Sequence, residues 1–317
     1  MMTCLVAWLR AGEPGVSANI LMPDRKRKEK PRVAIVGAGR LGTALAVALA
    51  AQGYSIRSLV ARRLESARKA ATLARQAAQS LDGQAAAVAA KDIASLPPAD
   101  LVLISVPDDQ IAKLARKLSH LNFATKPVAL HTSGALSSEV LRPLSAQGWS
   151  VGSMHPLISV PDAKASIRGA FWSVEGDARA VRLAKTLVRD LDGTSFSILT
   201  AEKPLYHAAA VMTSGNVTAL FDVALEMLVA CGLTRKTARQ ILQPLLTSTA
   251  QNLATKDPAQ ALTGTFSRGD VETVKRHLAA LKQHQLTDAL ELYCRLGKRS
   301  LKLAKKRTGI TRILDRC

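Results

Sequence analysis

One stretch constrains this chain more than any other: RVAIVGAGRLGTALAVALAAQGYSIRSLVARR, residues 32–63. A short β-branched run ends in a glycine turn, an apolar helix follows and is stopped by Gly53, and a second strand begins beyond it. Strand, helix and strand within about thirty residues make a βαβ unit, whose two strands run parallel because the helix carries the chain back to its starting end. Pure sandwiches and pure bundles are excluded by this unit alone.

The alternation continues for another 140 residues or so, in units of ordinary α/β size. A helix rich in Ala and Arg spans about 64–79, and a weak strand lies near 86–90. DLVLISVPDDQ holds a continuous apolar run bounded by polar residues, the pattern of a strand buried on both faces of a parallel sheet. PVALHTSG and WSVGSMHP read as the fifth and sixth strands, and FWSVEGD, the helix 178–191 and TSFSIL close the same layer. Beyond Thr200 the period is helical only, over about 204–229, 235–253 and 270–306. The expected fold class is therefore α/β, a doubly wound, mostly parallel sheet, followed by an all-α C-terminal domain. Residues 1–30 are expected as a disordered extension, 31–200 as the α/β domain, and 201–317 as a helical domain for dimerisation and substrate, with a basic tail.

Gly37, Gly39 and Gly42 form GxGxxG between the first strand and its helix. In a Rossmann fold the first glycine makes the tight turn, the second lets backbone N–H groups approach a pyrophosphate, and the third lets helix and strand pack closely. Ala38, Arg40 and Leu41 complete the loop, and the helix N-terminus favours an anion. A site selective for NAD carries an acid about twenty residues on, to accept from the ribose 2′-hydroxyl. Here that place holds Ala61, Arg62 and Arg63, and an arginine can fork onto a 2′-phosphate, so NADP is expected over NAD. Arg40 has two readings, against the pyrophosphate or toward water. Val106, Pro107 and Asp108 end the fourth strand and are expected to line the nicotinamide side.

Composition narrows the partners. With 48% hydrophobic and 21% charged residues the chain can bury a core, which excludes wholesale disorder. The net charge of +20 would suit nucleic acid, but much of it sits in Arg25–Lys30 and in a run from Arg295 to Arg316 that includes Lys305, Lys306 and Arg307, and no aromatics interleave there for base stacking. Small anionic ligands are the expected partners, and nucleic acid is not. Cys4, Cys231, Cys294 and Cys317 lie far apart without metal-ligand spacing, as fits reduced thiols in the cytoplasm and no metal site. The run 204–234 lacks Lys and Arg but carries Asn216, Asp222 and Glu226, so it reads as a buried helix rather than a membrane span. The N-terminal MMTCLVAWL has no basic residue before it and is a poor signal peptide, and Met22 is an alternative start.

Three histidines occupy places where proton transfer is possible. His131 closes the fifth strand beside Thr132 and Ser133, and His155 follows the sixth, both at carboxyl ends of parallel strands. His207 opens the first helix of the second domain, and Ser214, seven positions on, falls about 20° away on the same stripe of a straight helix. Asn216 falls on the opposite side unless Gly215 distorts the turn. His207 with Ser214 is the expected proton donor and substrate contact, with His155 and Ser133 in reserve. Asp270 precedes the apolar stripe Val271, Val274, Leu278 and Leu281, so it suits a helix N-cap, with Arg268 either pairing with it or clamping an anion.

Taken in order, GAGRLGTALA, SVPDDQIAKLA, HTSGALSSEVL, SMHPLISV, EKPLYHAAAV and TGTFSRGDVETVKRHL resemble the Rossmann-like reductases whose helical C-terminal domain is catalogued as of unknown function. That family is similar, more distantly, to pyrroline-5-carboxylate reductase, prephenate dehydrogenase and the deazaflavin-dependent NADP reductases. The resemblance implies an NAD(P) oxidoreductase that dimerises through its helical domain and works between its domains. It also implies that His155, in a stretch similar to prephenate dehydrogenases, lies near the cleft. The chain departs from the family in TGTFSRGD, where Thr265 takes the place of a proline. The expected activity is hydride transfer to or from a small imine, carbonyl or hydroxy acid, and the alternative is an NADP-binding sensor or scaffold without turnover.

Overall fold

The structure is a computed structural model and describes residues 29–78, 86–123, 125–304 and 313–315. The expected extension 1–30, but for its last two residues, and the cluster Lys305, Lys306 and Arg307 lie outside the described residues. The chain divides into two compact units, Met1–Ile198 and Leu199–Cys317.

The first unit is built on one eight-stranded sheet: β1 (Val33–Val36), β2 (Ile56–Ala61), β3 (Ala86–Ala89), β4 (Leu101–Ile104), β5 (Val128–His131), β6 (Ser150–Leu157), β7 (Phe171–Gly176) and β8 (Thr194–Phe196). Their order is β3-β2-β1-β4-β5-β6-β7-β8. All neighbours are parallel except β6 and β7, which form an antiparallel pair. Every residue of β1, β4 and β5 is buried, which is why VAIV, LVLI and VALH carry no polar alternation apart from the terminal His131.

Helices cover both faces. Against one lie α1 (Arg40–Ala51), α2 (Leu64–Ala77) and α5 (Ala178–Asp190), in a core with Ile35, Leu59, Leu103 and Trp172. Against the other lie α3 (Asp108–Ser119) and α4 (Arg142–Ser145), in a core with Val36, Val102 and Ile104. In α5 the buried Ala180, Ala184, Leu187 and Val188 recur at helical spacing while its arginines face solvent. Because β2 and β3 continue to one side of β1 and β4 to β6 to the other, the strand order reverses between β1 and β4. Ligands of open α/β sheets bind outside the carboxyl ends at such a point.

The second unit is helical: α6 (Lys203–Thr213), α7 (Gly215–Ala230), α8 (Arg235–Thr255), α9 (Pro258–Ala261), α10 (Thr265–Arg268), α11 (Val271–Gln283) and α12 (Thr287–Leu303). Two expected helices are each divided. The run 204–229 breaks at Ser214 (φ −114°, ψ −75°), whose carbonyl accepts from the Thr218 N–H at 3.1 Å and from its hydroxyl at 3.2 Å. The run 270–306 breaks around Gln285, which takes a left-handed φ of 56°. The α11/α12 pair packs on Val274, Leu278, Cys294 and Leu301, with the Phe266 and Tyr293 rings 5.4 Å apart. Gly297 lets α12 approach, since a Cβ there would lie 2.7 Å from the Phe266 ring.

The expectation of a buried helix over 204–234 is corrected. Among the described residues Thr200–Ala230 is long and apolar enough to cross a membrane by length and composition, and only 6% of its apolar window is buried. The reason lies in the packing. On α6 only Lys203 is buried, on α7 only Leu225 and on α8 only Ala238, so Leu205 (69% exposed), Met212 (60%) and Leu245 (62%) face outward.

Candidate functional site

The glycine turn shows three separate reasons for its three glycines. Gly37 has φ +110°, and a Cβ there would lie 2.1 Å from the Ser105 carbonyl oxygen just past β4. A Cβ on Gly42 would lie 2.0 Å from the Gly37 carbonyl oxygen. Both are demanded by the chain itself, for a left-handed turn and for close helix packing. Gly39 differs: its backbone (φ −83°, ψ −161°) is open to any residue, and a Cβ there would meet nothing within 4 Å. The space beside Gly39 is an open cradle at the mouth of the turn, so neither backbone strain nor packing within the described residues demands a glycine there.

The backbone around the cradle is tied to β2 on one side and opens into an uncapped helix end on the other. The Gly37 and Ala38 N–H groups donate to the Val60 carbonyl at 2.9 and 2.8 Å, which ties the turn to β2. Gly39 is the N-cap of α1, with no side-chain cap and no acid in the first turn. The N–H groups of Arg40, Leu41 and Gly42 therefore belong to an uncapped, positive helix end. Arg40 is exposed, and its guanidinium donates to the Pro161 carbonyl at 3.4 Å.

At the end of β2, Arg62 and Arg63 are exposed, and neither guanidinium forms a hydrogen bond or ion pair among the described residues. The acid that follows, Glu65, pairs with Lys69 at 2.7 Å, and this partner lowers its pKa. Two guanidinium groups thus stand where an NAD site places its carboxylate, and they repel no 2′-phosphate.

Across the switch point, Val106 packs in the core under α3, Pro107 is the N-cap of that helix, and Asp108 is its first residue. Asp108 accepts from the Ser133 hydroxyl at 2.9 Å, and the same hydroxyl oxygen accepts from the Ala135 and Leu136 N–H groups at 3.2 and 3.0 Å. That use as a loop brace, with 6% exposure, argues against Ser133 as a reacting group. His131 is fully buried: its Nδ1 accepts from the Ser133 N–H at 3.2 Å and its Nε2 lies 3.1 Å from the Ser137 carbonyl, which is the neutral tautomer held as a structural pin.

His155 lies inside β6 rather than after it, two residues past the last β5 pairing, opposite Ser173 of β7 and half-buried. His207 is half-buried on α6. The expected stripe joining it to Ser214 does not form, because α6 ends at Thr213 and Ser214 is the exposed break residue. Asp270 caps α11, accepting from the Thr273 N–H at 3.0 Å and its hydroxyl at 2.7 Å; both bonds hold its carboxyl below the usual range. Arg268 is exposed and forms no ion pair with it among the described residues. Thr265 stands at the first position of α10, after Gly264 at φ +85°, a position where proline also fits, so the departure from the family pattern leaves this turn intact. No group of three or more metal-ligating side chains occurs among the described residues.

Sequence reasoning missed Glu175, Ser138 and Ser153. Glu175 of β7 accepts from the Ser138 N–H and hydroxyl at 2.8 and 2.7 Å, and Ser153 donates to the Ser133 carbonyl at 3.3 Å. The only available signal was polar residues at inward strand positions, Ser153 in WSVGSMHP and Glu175 in FWSVEGD.

Comparison with known proteins follows this geometry. Residues 20–156 match a Rossmann-like domain family, and residues 170–300 match the domain of unknown function DUF2520. No curated protein matches the sequence. Among solved structures, the chain is similar to a candidate NADP oxidoreductase from Bacteroides fragilis (22% identity, 86% of this chain and 98% of that one, TM-score 0.70). A reductive aminase from Aspergillus terreus, solved with NADPH and ethyl levulinate, shares 15% identity over 90% of this chain and 99% of its own, with TM-score 0.61. A pyrroline-5-carboxylate reductase from Coxiella burnetii shares 14% over 88% and 99%, with TM-score 0.53. At these identities the likeness is one of fold. The chain joins a Rossmann-like domain to a C-terminal DUF2520 domain.

Proposed function

We propose that the protein is an NADP-dependent oxidoreductase acting on a small imine, carbonyl or hydroxy-acid substrate. The observation that carries this reading is the open cradle at Gly39, beside an uncapped helix end and two arginines whose guanidinium groups form no hydrogen bond or ion pair among the described residues. The turn Gly37–Gly42 would seat the pyrophosphate against the uncapped N–H groups of Arg40, Leu41 and Gly42, and Arg62 and Arg63 would hold the 2′-phosphate. Val106, Pro107 and Asp108 would border the nicotinamide half. The bound cofactor supplies hydride chemistry. This chain supplies orientation and a proton: the imidazole side chain is the commonest general acid in such a role, and His207 is the proposed donor with His155 as the alternative. The reductase and aminase names of the structural neighbours support the substrate class.

The proposed state is a homodimer through the second unit. Leu205, Met212, Ile241 and Leu245 are each at least 52% exposed on α6 and α8. Exposed apolar helix faces of this extent mark an interaction surface. Cys231 and Cys294 form no disulfide among the described residues, which suits a reducing cytoplasm.

A panel of cyclic imines, ketones with amines, and 2-hydroxy acids, followed by NADPH absorbance, tests the activity. Turnover with one class supports it. Saturable NADPH binding without turnover across the panel transfers the reading to a sensor. Light scattering at micromolar concentration tests the dimer: twice the chain mass supports it, and a monomer, or recovery only with lipid vesicles, overturns it.

A further inference from the structure

We propose that Glu175 is a positioning residue for the nicotinamide half of the cofactor, acting through the loop Thr132–Ser138; this rests on the NADP reading above. The glycine turn follows β1 and the two arginines follow β2, so a dinucleotide seated there directs its adenosine half to the β2 side. Its other half then lies toward β4 and β5, whose carboxyl ends carry Asp108 and this loop.

Residues 132–137 have no regular structure and Ser138 opens a short 3-10 helix, Ser138–Leu141, yet the segment is anchored along its length. The Thr132 N–H donates to the Ile104 carbonyl of β4 at 3.0 Å, and Ser133 is held by Asp108 at one end. At the other end Ser138 gives both its N–H and its hydroxyl to the Glu175 carboxylate. Ser138 is 8% exposed and Glu175 9%. A buried carboxylate is a costly way to hold a loop that needs only to be stable, since apolar packing serves as well. What two charge-assisted bonds add is a fixed direction, and a preorganised wall is what a weakly held ligand half requires.

The test compares two probes on the full-length protein: NADPH, and adenosine 2′,5′-bisphosphate, which carries the 2′-phosphate and lacks the nicotinamide half. Ser138→Ala and Glu175→Gln should each weaken NADPH by about tenfold, the equivalent of one hydrogen bond to a charged group, and leave the bisphosphate within about twofold. Because both variants disturb the same residue pair, the loss in the double variant should be less than the sum of the two single losses. Melting temperatures confirm that each variant is folded. Equal weakening of both probes, unchanged NADPH affinity in the folded variants, or additive losses in the double variant would overturn the proposal. If the unmodified protein binds the bisphosphate as tightly as NADPH, this inference fails while the arginine site stands. If it binds neither, the NADP reading itself fails.

Discussion

The substitution Gly39→Ala separates binding from folding, because the three glycines of one turn answer to different neighbours. At Gly42 an added Cβ would sit 2.0 Å from a backbone oxygen, and at Gly37 it would sit 2.1 Å from another at a left-handed φ. Neither backbone can yield cheaply, so Gly37→Ala and Gly42→Ala should each cost about 2 kcal/mol or more of stability from overpacking, with strain added at Gly37. At Gly39 the Cβ would meet nothing, and alanine as N-cap in place of glycine costs about 0.5 kcal/mol. In a unit of this size that lowers the melting temperature by about 2 °C. A pyrophosphate in the cradle would meet the same methyl group at overpacking cost, about 1.4 to 3 kcal/mol, or a ten- to hundredfold loss of NADPH affinity. Fluorescence titration with NADPH and thermal melts on the three variants would measure both quantities. An NADPH affinity for Gly39→Ala within twofold of the unmodified protein, or a destabilisation equal to that of Gly42→Ala, would refute the reasoning.

Arg62→Ala with Arg63→Ala should erase any preference for NADPH over NADH, at a cost of about 1.5 to 3 kcal/mol in NADPH binding, read as the ratio of the two dissociation constants. With a substrate in hand, His207→Ala should lower turnover by about 10² to 10⁴ and leave NADPH affinity intact. Full activity with a lowered melting temperature would move the donor role to His155. Asp100 provides a pH test: the Arg32 guanidinium, bonded to it at 2.9 and 3.0 Å, holds its carboxyl below the ordinary value. A depressed folded pKa contributes stability above the ordinary carboxylate range and loses it as pH falls through the folded value. Asp100→Asn should therefore lower stability at pH 7 by at most about 1 kcal/mol, given the exposure of the pair, and flatten the acid limb below about pH 4.

The sheet was legible because its strands are buried on both faces, and a run such as LVLI has no other economical fate in an alternating chain. The glycine turn was legible because its spacing, its strand and its helix are contiguous. The break at Ser214 was not, since a serine and a glycine inside an apolar run leave the helical period intact on paper. Gln285 hides in the same way, adopting a left-handed φ with no glycine to announce it. The burial of 204–234 was misjudged for a physical reason: apolar composition reports a need for cover and says nothing of what supplies it. Glu175 and Ser138 stand 37 residues apart, and only the antiparallel return of β7 beside β6 brings that strand back toward the β5 loop. The stripe from His207 to Ser214 failed because it assumed a straight helix through a residue that ends one.

Titration of the unmodified protein with NADPH and NADH, by calorimetry at one fixed salt concentration, tests the central claim most directly. The open cradle at Gly39 and the arginines at the end of β2 predict saturable, one-to-one binding of NADPH with a dissociation constant at least about tenfold below that of NADH, the worth of one forked phosphate contact. Equal affinities, or no heat from either nucleotide, would contradict it.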